Sequence, residues 1–341
     1  MLILFVDGIG WGPDDPASNP FARATLPHLT ALLARRPVLS SGLPSGEPLA
    51  LMDASAATVS GDEHVLAEIA SAFADGQAMA PALALDASMG MPGLPQSGTG
   101  QGALITGRNI ARAVGGHSGP FPSAAVQDVM ARHSLWRHAA DRGLRAALAT
   151  AYPERLVHRA ADGGGRLSSI ARAAVQAGVP LRGPAFAAAG EAVPPFLGRS
   201  GRTASGRPIV ADPFSAGRAL ASVAAAHHLT VYEHFATDVA GHRQDWAAAV
   251  DALERLDALI GGVGSGWPAT AGDILVLMSD HGNLEDLGTH HHTGASALGA
   301  WLGPLGGGSA PAAVEDVANA IRRALGWRMA GWTTTDIDST E

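Results

Sequence analysis

The stretch Leu2-Ile3-Leu4-Phe5-Val6-Asp7-Gly8-Ile9-Gly10 decides how this chain is read. Five consecutive apolar residues without alternation suit a strand buried on both faces, as in a parallel sheet. The run is too short for a membrane span or a secretion signal, and it has no basic flank. It stops on an acid and two glycines, the composition of a tight loop at a strand end. The same layout returns twice. The expected strand 229–235 is followed by Asp238 and His242, and the expected strand 273–278 by Ser279-Asp280-His281. His290, His291 and His292 come soon after. In open α/β sheets ligands bind beyond the carboxyl ends of the strands. Three strands would thus deliver carboxylates and imidazoles to one edge.

Working outward, 25–33, 63–73, 123–142, 214–227, 246–259 and 314–325 read as helices, and 83–85 and 144–150 as further strands. Residues 40–46 and 89–101 read as loops. Strands alternating with helices predict an α/β fold, a mostly parallel central sheet with helices on both faces. The 341 residues, 47% hydrophobic and 16% charged, can bury a sizeable core, which excludes a disordered chain. No apolar stretch is long enough to span a membrane. With 23 basic against 31 acidic side chains the net charge is −8, so neither a nucleic-acid nor a membrane partner is expected. Every basic residue of that count is Arg, and Cys is absent, which removes disulfides, thiolate metal sites and a Cys nucleophile. A cytoplasmic protein is expected. Residues 155–207 stand apart: eight Arg against Asp162 and Glu191 make the stretch +6 within an otherwise acidic chain. It reads either as a loop-rich insertion with solvated arginines or as a small basic lid over an anionic substrate. The expected division is a core of 1–154 and 208–341 with 155–207 inserted.

Asp238-x-x-x-His242 puts both side chains on one side of a helix, if a helix forms there. Mixed oxygen and nitrogen donors suit Zn²⁺ or Mn²⁺ better than Ca²⁺ or Mg²⁺. Singly, each Asp/His pair also fits an ordinary buried, hydrogen-bonded histidine; three sets at strand ends favour metal. The nucleophile candidate lies in Pro95-Gln96-Ser97-Gly98-Thr99-Gly100-Gln101-Gly102, ahead of a helix expected to begin near Gly102. Small residues there admit close approach of a ligand. The stretch is not a P-loop, since Lys is lacking.

In this order the motifs Asp7-Gly8-x-Gly10-Trp11-Gly12, Ser97 in its Gly-rich loop, Asp238-x-x-x-His242, Asp280-His281-Gly282-Asn283 and His292-Thr293 resemble the alkaline phosphatase superfamily of metalloenzymes. The chain looks most like cofactor-independent phosphoglycerate mutase and phosphopentomutase. The resemblance implies two divalent ions, one held by Asp7, Ser97, Asp280 and His281, the other by Asp238, His242 and His292. His292 is taken over His290 because it precedes Thr293. The resemblance also implies that Ser97 is the nucleophile in phosphoryl transfer on a small-molecule phosphate ester. Gln101 stands where the mutases usually carry His, and it joins Arg108 and Arg243 as candidate substrate contacts. The short insertion favours a phosphohydrolase, with a phosphomutase as the alternative and a non-catalytic metal-binding protein as a third reading. A sulfatase is disfavoured, because Cys is absent and Gln101 replaces the usual Arg.

Overall fold

A computed structural model describes residues 1–39, 80–197, 201–202, 208–209, 212–267 and 272–327. The expected loop 40–46 and helix 63–73 lie outside these residues. A sheet of six strands is built from β1 (Leu2–Val6), β2 (Ala80–Leu85), β3 (Ala146–Leu148), β4 (Leu229–His234), β5 (Leu275–Met278) and β6 (Ala297–Leu302). Their order is β2-β6-β5-β1-β4-β3. β1 lies at the centre, parallel to β4 (Leu2↔Thr230 to Val6↔His234) and to β5 (Leu2↔Leu275 to Phe5↔Met278). Only β6 runs against its neighbours among these six. All five β1 residues are buried, as an unbroken apolar run between two layers requires.

Alternate β1 side chains enter two separate cores. Ile3 and Phe5 face one core with Leu104, Met130, Trp136, Ile170 and Ile321. Leu2, Leu4 and Val6 face the other with Leu29, Leu220, Leu253 and Leu256. The first face is covered by α2 (Ser97–Thr106), α3 (Ala124–His133), α4 (Leu135–Asp141), α6 (Ser169–Gln176) and α10 (Asp316–Ala324). The second is covered by α1 (Pro27–Leu32), α7 (Pro213–Ala226) and α9 (Trp246–Gly266). The fold is therefore the expected mostly parallel α/β sheet with helices on both faces. Among the described residues no helix is long and apolar enough to cross a membrane.

Several local expectations differ from what is observed. Residues 123–142 form two helices, because Ser134 is extended (φ −67°, ψ 154°) and its Oγ accepts from Arg137 N at 3.2 Å, starting a new helix. The helix expected near Gly102 begins at Ser97. Glycine is a poor helix former, but here close contact requires it. A Cβ on Gly98 would stand 2.5 Å from Ser118 O, and one on Gly100 2.9 Å from Asp280 O. Within 155–207, α5 (Glu154–Ala161) is mostly exposed, whereas α6 places Ile170, Ala171, Ala173 and Ala174 in the core.

Candidate metal centre

The carboxyl ends of β1, β4 and β5 converge. Asp7 follows β1 directly. Asp238 and His242 lie one turn apart on α8 (Ala236–Arg243), the helix that follows β4. Asp280 and His281 follow β5. Two clusters result, and the ligand atoms within each lie within 4.8 Å of one another: Asp7 with Asp280 and His281, and Asp238 with His242 and His292. In the first, His281 Nε2 is 3.5 Å from Asp7 Oδ1 and 3.4 Å from Asp280 Oδ2. In the second, His242 Nε2 is 3.3 Å from Asp238 Oδ2, and His292 Nε2 is 3.8 Å from Asp238 Oδ1 and 3.2 Å from His242 Nε2. The rings of His281 and His292 stack at 3.7 Å, so the two clusters abut.

The buried acids have the chemistry of a cation site. Asp7 Oδ1 and both carboxylate oxygens of Asp280 are buried with no hydrogen-bond donor. Burial, followed by the charges of Asp280 and Asp238, pushes the Asp7 carboxyl well above its usual range. Burial and then Asp238 push Asp280 up to about 7. Burial takes His281 down to about 4 and also lowers His292, which leaves both imidazoles neutral and able to ligate. Burial opposes ionisation of Asp238 too, but hydrogen bonds from His242 and Asn283 and the nearby His281 outweigh it, and its carboxyl is lowered. His242 is the exception. Its contact with Asp238 raises it to about 9, so a cation would have to displace a proton there. Divalent cations fit the residues present: they supply the partner the orphaned oxygens lack and neutralise three clustered carboxylates.

The outer shell aims these donors. His292 Nδ1 donates to Pro95 O at 2.6 Å and His242 Nδ1 to His290 O at 2.8 Å, which turns each Nε2 inward. Asn283 Nδ2 donates to Asp238 Oδ1 at 2.6 Å. Thr237 Oγ1 donates to Asp7 O at 2.6 Å. His290 does not join either cluster; its ring pairs with exposed His291. Glu285 escaped sequence reasoning. This fully buried carboxylate accepts from Gly10 N and Asn283 N, each at 2.9 Å, and from Thr293 Oγ1. It thereby ties together the loops that carry Asp7, Asp280 and His292. A Cβ on Gly10, Gly12 or Gly282 would strike it at 2.8, 2.8 or 2.4 Å. These three motif glycines were the available signal: they leave room for a side chain.

Ser97 begins α2 and is buried, and its Oγ lies 3.0 Å from His281 Nε2. Gln96 provides no side-chain cap, and Thr99 N is taken by Ser118 O at 3.0 Å, which leaves Ser97 N and Gly98 N as the first-turn amides that could face an anion. A cavity of about 270 Å³ opens beside Ser97, Asp238, His242 and His292. Thr99 Oγ1 instead bonds Gln96 O at 3.0 Å within its own turn. Gln101 lies one turn on, buried beside Asp280, with its Oε1 accepting from Ser169 N at 3.1 Å. Arg108 lies past the far end of α2, about 15 Å from Ser97 at 1.5 Å per residue. Arg243 lines a separate crevice with Phe196 and Asp251. Of the arginines in 155–207, Arg172 donates to the carbonyls of Gly163, Gly164 and Gly165, and Arg182 to Glu191 O. Arg166 lies over the ring of Phe121, and Arg155 and Arg159 are exposed. Arg199 and Arg207 fall outside the described residues, as does the side chain of Arg202.

Comparison with curated proteins finds no match. Among solved structures, an alkaline phosphatase from the Antarctic bacterium TAB5 is similar at 11% identity and a TM-score of 0.47, over 96% of this chain and 98% of that one. A cold-active alkaline phosphatase from the psychrophile Shewanella sp. is similar at 12% identity and a TM-score of 0.49, over 95% and 99%. Residues 191–296, the span that contains Asp238, His242, Asp280, His281 and His292, match the Metalloenzyme superfamily.

Proposed function

We propose that the protein is a metal-dependent phosphohydrolase that cleaves a small phosphate ester through Ser97. The placement of Ser97 carries this reading: a buried hydroxyl at the start of a helix, against one Asp/His cluster and on a cavity lined by the other. Asp7, Asp280 and His281 would hold one divalent ion with Ser97 beside it, and Asp238, His242 and His292 a second. Such a pair stabilises the attacking and leaving oxygens of an in-line displacement. The mixed oxygen and nitrogen donors suit Mn²⁺ or Zn²⁺.

Ser97 Oγ attacks phosphorus, and the bond from phosphorus to the ester oxygen breaks as the bond to Oγ forms. The Ser97 hydroxyl releases its proton to solvent as it attacks, which balances the proton that the departing alkoxide takes up from water. Water then attacks the phosphoserine, releases phosphate and restores the hydroxyl. The 3.0 Å approach of Oγ to His281 Nε2 places the hydroxyl beside the ion that this nitrogen would hold, and the N-terminal end of α2 favours the anionic phosphoryl group. Hydrolysis is preferred to mutase chemistry because a mutase must exclude water behind a closing lid. Here part of the 155–207 segment, α6, is committed to the core. The test is a screen of phosphate monoesters with Mn²⁺ and with Zn²⁺, followed by trapping of labelled phosphoserine. Turnover that survives in Ser97→Ala removes Ser97 from the reaction. Positional transfer of phosphate without release identifies a mutase.

A further inference from the structure

The cavity beside Ser97 has a second kind of lining. Leu94 and Pro120 enter it from two loops, Met91-Pro92-Gly93-Leu94-Pro95 and Gly119-Pro120-Phe121-Pro122. Leu94 is 44% exposed, and Phe121, next to Pro120, is 38% exposed. Arg166 already lies over the Phe121 ring, so Leu94 is the large apolar side chain left in water at the cavity, and such a side chain marks a surface that something covers. Both loops are anchored to the candidate centre. Pro95 O holds His292 at 2.6 Å, and Ser118 O accepts from Thr99 N in the first turn of α2 at 3.0 Å. Proline restricts each loop further. The apolar surface is thus held in a fixed relation to Ser97. The two loops themselves carry no charge: 87–107 and 118–127 contain only apolar residues, Gly, Ser, Thr, Gln and Pro, and the Arg166 guanidinium beside them is stacked on the Phe121 ring.

We propose that the ester cleaved at Ser97 has a small apolar alcohol half, aryl or alkyl, that packs against Leu94 and Pro120. This rests on the phosphoryl-transfer reading above. The phosphate faces Ser97 and the two Asp/His clusters, while the alcohol lies along the uncharged loops. A cavity of about 270 Å³ falls just below the roughly 300–1,000 Å³ of drug-sized sites, which restricts the alcohol to about one ring. Rigid loops lower the ordering cost of such a contact.

The experiment compares benzyl phosphate with glycerol 3-phosphate on the metal-loaded full chain. Both are primary alkyl esters, so their leaving groups differ little in basicity. Benzyl phosphate should be preferred in kcat/KM by at least ~10-fold, the scale of an apolar pocket contact. Leu94→Ser should cut that ratio about tenfold, chiefly through KM, and Leu94→Arg should cut it further. Leu94 is exposed, so both variants should keep the wild-type Tm. The same esters are titrated calorimetrically onto Ser97→Ala protein, which reads the subsite without turnover. Tighter binding of benzyl phosphate with no turnover of either ester by the wild type would overturn the phosphoryl-transfer reading and keep the apolar subsite. Equal binding of the two esters, or a ratio unmoved by both Leu94 variants, overturns the subsite.

Discussion

At neutral pH a serine hydroxyl is a weak nucleophile, and the surroundings of Ser97 are what set it apart from other serines. Ser97→Ala should lower kcat by at least ~10³-fold with the far-ultraviolet spectrum unchanged. Thr99→Ala should keep most of the activity, because its hydroxyl is spent on Gln96 O. A dead Thr99→Ala with an active Ser97→Ala would reverse the assignment. The ligand residues answer to elemental analysis. Protein purified without chelator should carry close to two divalent ions per chain, and Asp280→Asn should lower that content. Asp7, Asp280 and His281 were legible in the sequence because they follow strand-like apolar runs directly or within three residues. His292 was legible only by resemblance, since three adjacent histidines differ in where their backbone sends them. Glu285 was not legible: its partners are backbone amides and a threonine hydroxyl in loops brought together by folding.

The loops beyond β1 and β5 act as one element because Glu285 bridges them. Glu285→Ala leaves two buried amides without an acceptor, at a cost on the order of 1–3 kcal/mol each. It should weaken the affinity for metal as well as lower Tm, whereas an exposed substitution such as Glu154→Ala should change neither. Isothermal titration with Zn²⁺ beside thermal melts separates the two effects. At this scale the sequence was readable where one signal dominated. β1 and β5 are continuous apolar runs, and β4 is a buried strand that carries Thr230, Glu233 and His234. β6 escaped notice because Ala297–Leu302, buried on both faces and broken by Gly299, has neither alternation nor a ligand at its end. The start of α2 was misplaced because propensity opposes a glycine-rich helix and only its contacts with Asp280 and Ser118 explain it.

Across the whole molecule, the two cores meet at one sheet, and the arginine-rich segment contributes to one of them. Trp136 Nε1 donates to Ile170 O at 3.1 Å, which joins α4 to α6 inside the first core. Ile170→Ala should therefore cost about 2–5 kcal/mol in denaturant melts, the cost of a core cavity. A change within ±0.5 kcal/mol would place 155–207 outside the core as a free lid. Charge burial has a global signature as well. In metal-stripped protein the folded state keeps a proton on Asp280 up to about pH 7, whereas the unfolded chain releases it near pH 4. Folding then binds a proton across that window, and stability falls as pH rises through it. Asp7, also raised, adds in the same direction. Buried histidines whose imidazoles are lowered, His281 and His292 among them, act in the opposite sense below about pH 6.5, so Tm of chelated protein should drop between about pH 6.5 and pH 7.5, and added Mn²⁺ or Zn²⁺ should remove the drop.

The ligand sets span almost the entire chain, from Asp7 to His292, a separation of 285 residues. Asp7 is made 273 residues before Asp280, and His281 follows directly after that. At about 5–20 residues per second, roughly 15–60 s pass between synthesis of Asp7 and of His292. During that interval neither cluster exists, and a half-made chain offers a passing ion only scattered single donors. Loading of such a site would thereby wait until residue 292 has been made. The ion such a site acquired would be set by what is available to the assembled fold, not by what the ribosome-bound chain encounters.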